Sequence, residues 1–142
     1  MNDYESEVLI VAKYLTILHS IFEKHSCISL TKLIVFCFLA KKDTFNQKSL
    51  YDNKTKNNIV AKYLTNLTGN VDQFFYEVEY ILEAIHILIL NNYIELSDKI
   101  IKCVVKNEVK LNEDDLPFFD NVIFAANEMS DEEFLREVLR YV

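Results

Sequence analysis

A chain of 142 residues is long enough for one buried core, and its 51% hydrophobic and 26% charged composition excludes a disordered chain. One Gly and one Pro leave few positions for a forced turn, so helices should dominate. The net charge of −7 is unevenly spread: residues 1–71 hold nine Lys against six acids, a balance of +3, while residues 72–142 hold six Lys and Arg against sixteen acids, a balance of −10. General affinity for nucleic acid is therefore disfavoured for the second half and conceivable only for the first.

Residues 6 to 22 place Val8, Val11, Leu15, Leu18, Ile21 and Phe22 at helical spacing, and Ile10, Tyr14 and Ile17 widen that face. A helix apolar over so much of its circumference sits centrally or is covered by a second protein. Ser29 is placed to cap a second helix, Leu30 to Ala40, whose near-continuous apolar run also fits a buried strand. Its length and the closing Lys41 and Lys42 favour helix.

Residues 41 to 58 form the longest polar stretch and predict a surface segment. Ile59, Val60, Tyr63, Leu64 and Leu67 then mark a helix that stops at Gly69. Asp72 is the expected cap of the longest helix, about 73 to 90, closed by a left-handed turn at Asn91 and Asn92. Tyr93–Leu96 and Ile100–Val105, joined through Ser97, Asp98 and Lys99, predict a β-hairpin, with a possible third piece at residues 108 to 111. Pro117 follows Asp114 and Asp115 at the start of a further helix, and Ser130 with Glu133 makes a capping box for the last one.

These elements predict a mainly α fold: a single domain over residues 1–142, with a winged-helix-like unit at 55–105 carrying one small β-hairpin and a C-terminal helical pair at 114–142. The helix before the hairpin carries Glu77, Glu79, Glu83 and His86 but no Lys or Arg, so it is a poor reader of DNA. The unit is expected to make protein contacts instead. Leu15, Leu18, Phe22, Phe134, Leu135 and Leu139 are the candidate partner-binding residues. Lys41, Lys42, Lys48, Lys54 and Lys56 are the candidates for contact with nucleic acid or an acidic partner.

Little in the sequence points to catalysis. Cys27, Cys37 and Cys103 are odd in number and in apolar surroundings, so they read as buried free thiols. His19, His25 and His86 share no metal-site spacing, and there is no Gly-rich phosphate loop. A non-enzymatic chain without cofactor or metal is expected. With three acids and no basic leader in Met1 to Glu7, and no apolar stretch of spanning length, the expected location is cytoplasmic, away from the membrane.

Leu30-Thr31-Lys32-Leu33-Ile34-Val35-Phe36, a Lys-rich segment, Glu79 to Leu88 leading into Asn92-Tyr93-Ile94-Glu95-Leu96, and an Ala-containing helix before Ser130 to Leu139 follow one another in order. This arrangement resembles the middle component of three-component ABC systems, the small subunit encoded between an SMC-like ATPase and an effector in Lamassu-type antiphage defence. The resemblance implies a non-catalytic adaptor that joins the ATPase head region to the effector and helps keep the effector inactive until foreign DNA is sensed. Lys stands here where better-known members carry an Arg-rich loop after the second helix, which argues against direct DNA contact. A winged-helix transcription regulator and a helical viral or bacterial modulator of a host protein are the competing readings.

Overall fold

The computed structural model describes residues 3–42, 56–104 and 118–142. Six helices and three short strands follow in the order α1 (Asp3–Lys24), β1 (Cys27–Ser29), α2 (Leu30–Lys42), α3 (Lys56–Leu64), α4 (Val71–Leu90), β2 (Ile94–Ser97), β3 (Ile100–Cys103), α5 (Phe118–Asn127) and α6 (Asp131–Leu139). The mainly α class with a small hairpin holds. The lone segments expected at residues 108 to 111 and around Asp114, Asp115 and Pro117 lie outside the described residues.

The choice between helix and strand for residues 30 to 40 resolves to helix. Ser29 Oγ accepts from the Lys32 backbone N–H at 3.3 Å, which supplies the N-cap that the sequence marks. Leu33, Val35, Phe36, Cys37, Phe38 and Leu39 are all buried, so α2 is covered on nearly every side and runs through the core. Around it, Phe36 meets Tyr63, Phe119 and Phe134 with ring centroids 5.9, 6.1 and 5.5 Å away. One aromatic cluster thus joins α2 to α3, α5 and α6.

The hairpin is part of a three-stranded antiparallel sheet in the order β1-β3-β2. Ile28 pairs with Ile101, and Leu96 pairs with Ile101 from the other side. Ile28, Ile94 and Ile101 turn into the core while Glu95, Lys102 and Cys27 face outward, the alternation of a half-buried sheet. The sheet therefore reaches outside residues 55–105. It draws its third strand from Cys27–Ser29, next to α1 and α2, and three residues are too few to show a period in sequence. Cys27 is exposed and Cys103 half-buried, so of the three thiols only Cys37 is the buried one expected.

Local turn chemistry follows the sequence closely. Gly69 has φ +81° and Asn92 φ +59°, the left-handed positions expected after α3 and α4. The cap of α4 differs: the helix begins at Val71 after Asn70, and Asp72 sits inside its first turn, where its charge still meets the helix dipole. At α6 the Ser130 side chain accepts from the Glu133 N–H at 3.1 Å, as the capping box requires. The hairpin turns on Asp98 and Lys99, with φ +51° and +68°, a two-residue loop that needs both residues left-handed.

Lys99 is an unfavourable residue for that position because its Cβ crowds the following carbonyl. Lys99→Gly is expected to raise unfolding free energy by about 1 kcal/mol, measured as an increased urea midpoint with an unchanged slope.

Candidate interaction surface

The face that α4 shows to solvent is set by what it buries. Glu77, Ile81, Ala84, Ile85 and Leu88 point inward at helical spacing. Glu77, which the charge pattern of the helix groups with the solvated Glu79 and Glu83, is fully buried. Tyr14 OH donates to its Oε1 at 2.7 Å, Lys41 Nζ to the same oxygen at 2.5 Å, and Gln73 Nε2 to Oε2. Lys41 Nζ also lies 5.5 Å from the centre of the Tyr14 ring. Burial by itself would raise the Glu77 carboxyl, but the hydrogen bonds from Lys41, Tyr14 and Gln73 outweigh it and hold the group below its ordinary value. The Tyr14 hydroxyl is pushed up, by burial first and by the adjacent carboxylate second.

Opposite this inward row, α4 exposes Phe75, Glu79, Leu82, His86 and Leu90. Phe75 and Leu90 are 69% and 67% exposed, unusual for such large apolar groups. Beside them, the Tyr76 and Tyr80 rings meet edge to face with centroids 5.8 Å apart, and Tyr80 OH donates to Glu7 of α1 at 3.0 Å. Between α1 and α4 lies a groove of about 310 Å³ walled by Val8, Val11, Leu15 and Ile87, with Glu7 and Glu83 on its rim.

The sequence-selected partner residues separate into two sets. Leu18, Phe22 and Phe134 are core residues with no more than 2% exposure, Phe134 with its ring 5.5 Å from that of Phe36 on α2. Leu15 is half-buried in the groove wall. Leu135 and Leu139 are exposed on α6, four residues apart and so on one face of the helix. Sequence patterning missed Phe75, Leu82 and Leu90 as surface residues, since every apolar position of α4 reads alike until its inward face is known.

The candidate cations fare differently. Lys41 is committed to Glu77, and Lys42 lies 5.9 Å from the Phe38 ring centre. The side chain of Lys56, the first residue of α3, and the whole of Lys48 and Lys54 lie outside the described residues. Two more lysines of the basic half are likewise engaged by acids or carbonyls of the second half. Lys24 pairs with the buried Asp120 at 3.1 Å, and Lys32 Nζ donates to the Met129 carbonyl at 2.5 Å with Asp131 3.8 Å away. Burial lowers the Lys32 ammonium, and Asp131 and Glu133 act against that shift.

Lys32 forms part of a cleft of about 480 Å³ between the hairpin turn and the α5–α6 turn, with Cys27, Asp98 and Asn127 also on its wall. His25, buried at the foot of α1, holds Asp120 Oδ1 at 2.9 Å from Nε2 and meets the Phe124 ring at 4.7 Å. Burial keeps the Cys37 thiol protonated. Among the described residues no group of metal-ligating side chains converges, and no helix is long and apolar enough to cross a membrane.

No family model matches the chain, and neither the curated proteins nor the solved structures contain a significant match to it.

Glu77→Ala is expected to cost about 3 kcal/mol, because it leaves the Tyr14 hydroxyl and the Lys41 ammonium without their acceptor. The native Glu77 value is depressed, so its contribution is complete above the ordinary carboxylate range near about 4.3 and is lost as pH falls below that through the native value. Urea unfolding of wild type and Glu77→Gln at pH 7 and pH 3 checks this: the gap between them should narrow at the lower pH.

Proposed function

We propose that this chain is a non-catalytic adaptor that binds two protein partners, and that those partners are an SMC-like ATPase and its effector in an antiphage defence complex. The observation that carries the adaptor reading is the pair of outward apolar faces on different helices, Phe75, Leu82 and Leu90 on α4 and Leu135 and Leu139 on α6. A chain that bridges two proteins needs two such faces. Apolar side chains of this size left in water are a feature of protein contact sites.

The surroundings of the α4 stripe support protein over nucleic acid as the occupant. Glu79 and Glu83 flank it, and α4 has no Lys or Arg to meet a phosphate. In a winged-helix arrangement the helix before the hairpin is the one that would enter a groove of DNA, and here it is acidic. Lys24, Lys32 and Lys41 are spent on internal partners, which further reduces the cationic surface a transcription regulator would require. The choice of an SMC-like ATPase and effector rests on the sequence resemblance alone.

Two surface double variants test the bridge. Phe75→Glu with Leu90→Glu should weaken one partner at least tenfold and spare the other, while Leu135→Glu with Leu139→Glu should do the reverse, each with an unchanged melting temperature. Co-purification of the tagged chain with the ATPase and the effector is the readout. Loss of neither partner, or capture of neither by the wild-type chain, overturns the proposal; salt-sensitive duplex binding in its place would make the regulator reading the better one.

A further inference from the structure

The groove between α1 and α4 has a composition that narrows what it can hold. Its walls are aliphatic, with Val8 exposed, Leu15 half-buried and Ile87 half-buried, and Ala12 contributes only a methyl group beside them. Its rim is acidic: Glu7 and Glu83 border it, Glu79 lies one turn before Glu83 on α4, and α4 adds no positive charge. A volume of about 310 Å³ is at the small end for a ligand pocket and suits a few aliphatic side chains of a larger body.

We infer that this groove receives a cationic amphipathic helix of a partner protein, with aliphatic side chains seated between Val8, Leu15 and Ile87 and with Lys or Arg of the same helix paired to Glu7, Glu79 and Glu83. This inference rests on the reading of the α4 side as a docking face and specifies the chemistry of what docks there. Two parallel or crossed helices present a furrow whose ridges accept residues at i, i+3 or i+4, and i+7 of a third helix. Charge complementarity selects the sign of the flanking residues. A second copy of this chain is a poor occupant, because a two-fold contact would bring the same acidic rim against itself. An anionic lipid surface and a phosphate backbone are repelled for the same reason.

The test uses the full chain and three synthetic helical peptides in fluorescence anisotropy at moderate salt. The first carries a leucine stripe flanked by lysines, the second the same stripe flanked by glutamates, and the third the lysines with serines replacing the leucines. The first should bind at least tenfold more tightly than either control. Val8→Asp should weaken it tenfold or more although the variant is more acidic, and Glu83→Lys should weaken it while improving the glutamate peptide. Both sites are exposed, and unchanged melting temperatures establish that the variants fold. Equal binding of the lysine-serine peptide, retention of binding by Val8→Asp, or no binding of the first peptide up to roughly 100 µM overturns the inference. Co-purification with ATPase and effector is read separately, so partner capture without peptide binding removes the groove assignment alone, and peptide binding without partner capture removes the complex assigned above.

Discussion

A buried carboxylate determines how the two longest helices of this protein sit against α2. Glu77 has no solvent, and an ionised group in that position is tolerable only if donors replace the water it has lost. Tyr14 from α1, Lys41 from the end of α2 and Gln73 from the preceding turn of α4 supply those donors. The three helices cannot slide or rotate past one another without uncovering the charge. Fixing the rotation of α4 in this way also decides what it shows outside: the positions opposite Glu77, Ile81, Ala84 and Leu88 are Phe75, Glu79, Leu82, His86 and Leu90. The proposed docking face is a geometric consequence of the buried ion pair.

Smaller polar links of the same kind attach the C-terminal helices. Asp120 of α5 receives both Lys24 and His25 from the end of α1, and the Met129 carbonyl at the α5–α6 turn receives Lys32. Each link crosses about 95 residues or more of sequence and joins a Lys or His side chain of the first half to an acceptor of the second. The aromatic cluster around Phe36 provides the apolar counterpart over the same interface. The strong charge imbalance along the chain is therefore partly cancelled in space. Among the described residues, α4 keeps Asp72, Glu79 and Glu83 exposed with no Lys or Arg on the same helix, and that is the sign a protein partner of this face would have to complement.

The apolar periodicity and the cap residues made most helices and the hairpin legible. Ser29, Gly69, Asn92 and Ser130 each act at the place where their backbone or side-chain chemistry predicts. Such signals are local, involving residues within four positions of each other, and so survive in a single sequence. The strand Cys27–Ser29 left no trace because it is defined by its pairing with Ile100–Lys102, more than seventy residues away.

The amino-acid sequence by itself determined the helical class, the order of the helices, the hairpin and the lack of cations on α4. Only the tertiary structure decided that Glu77 is inside and Glu83 outside, that Leu18, Phe22 and Phe134 are core while Leu135 and Leu139 are surface, and that Lys41 serves a carboxylate rather than a phosphate. The physical reason is that periodicity reports that a helix has an apolar face, whereas the identity of the element covering that face, and the partner of each buried charge, depend on contacts between residues far apart in the chain.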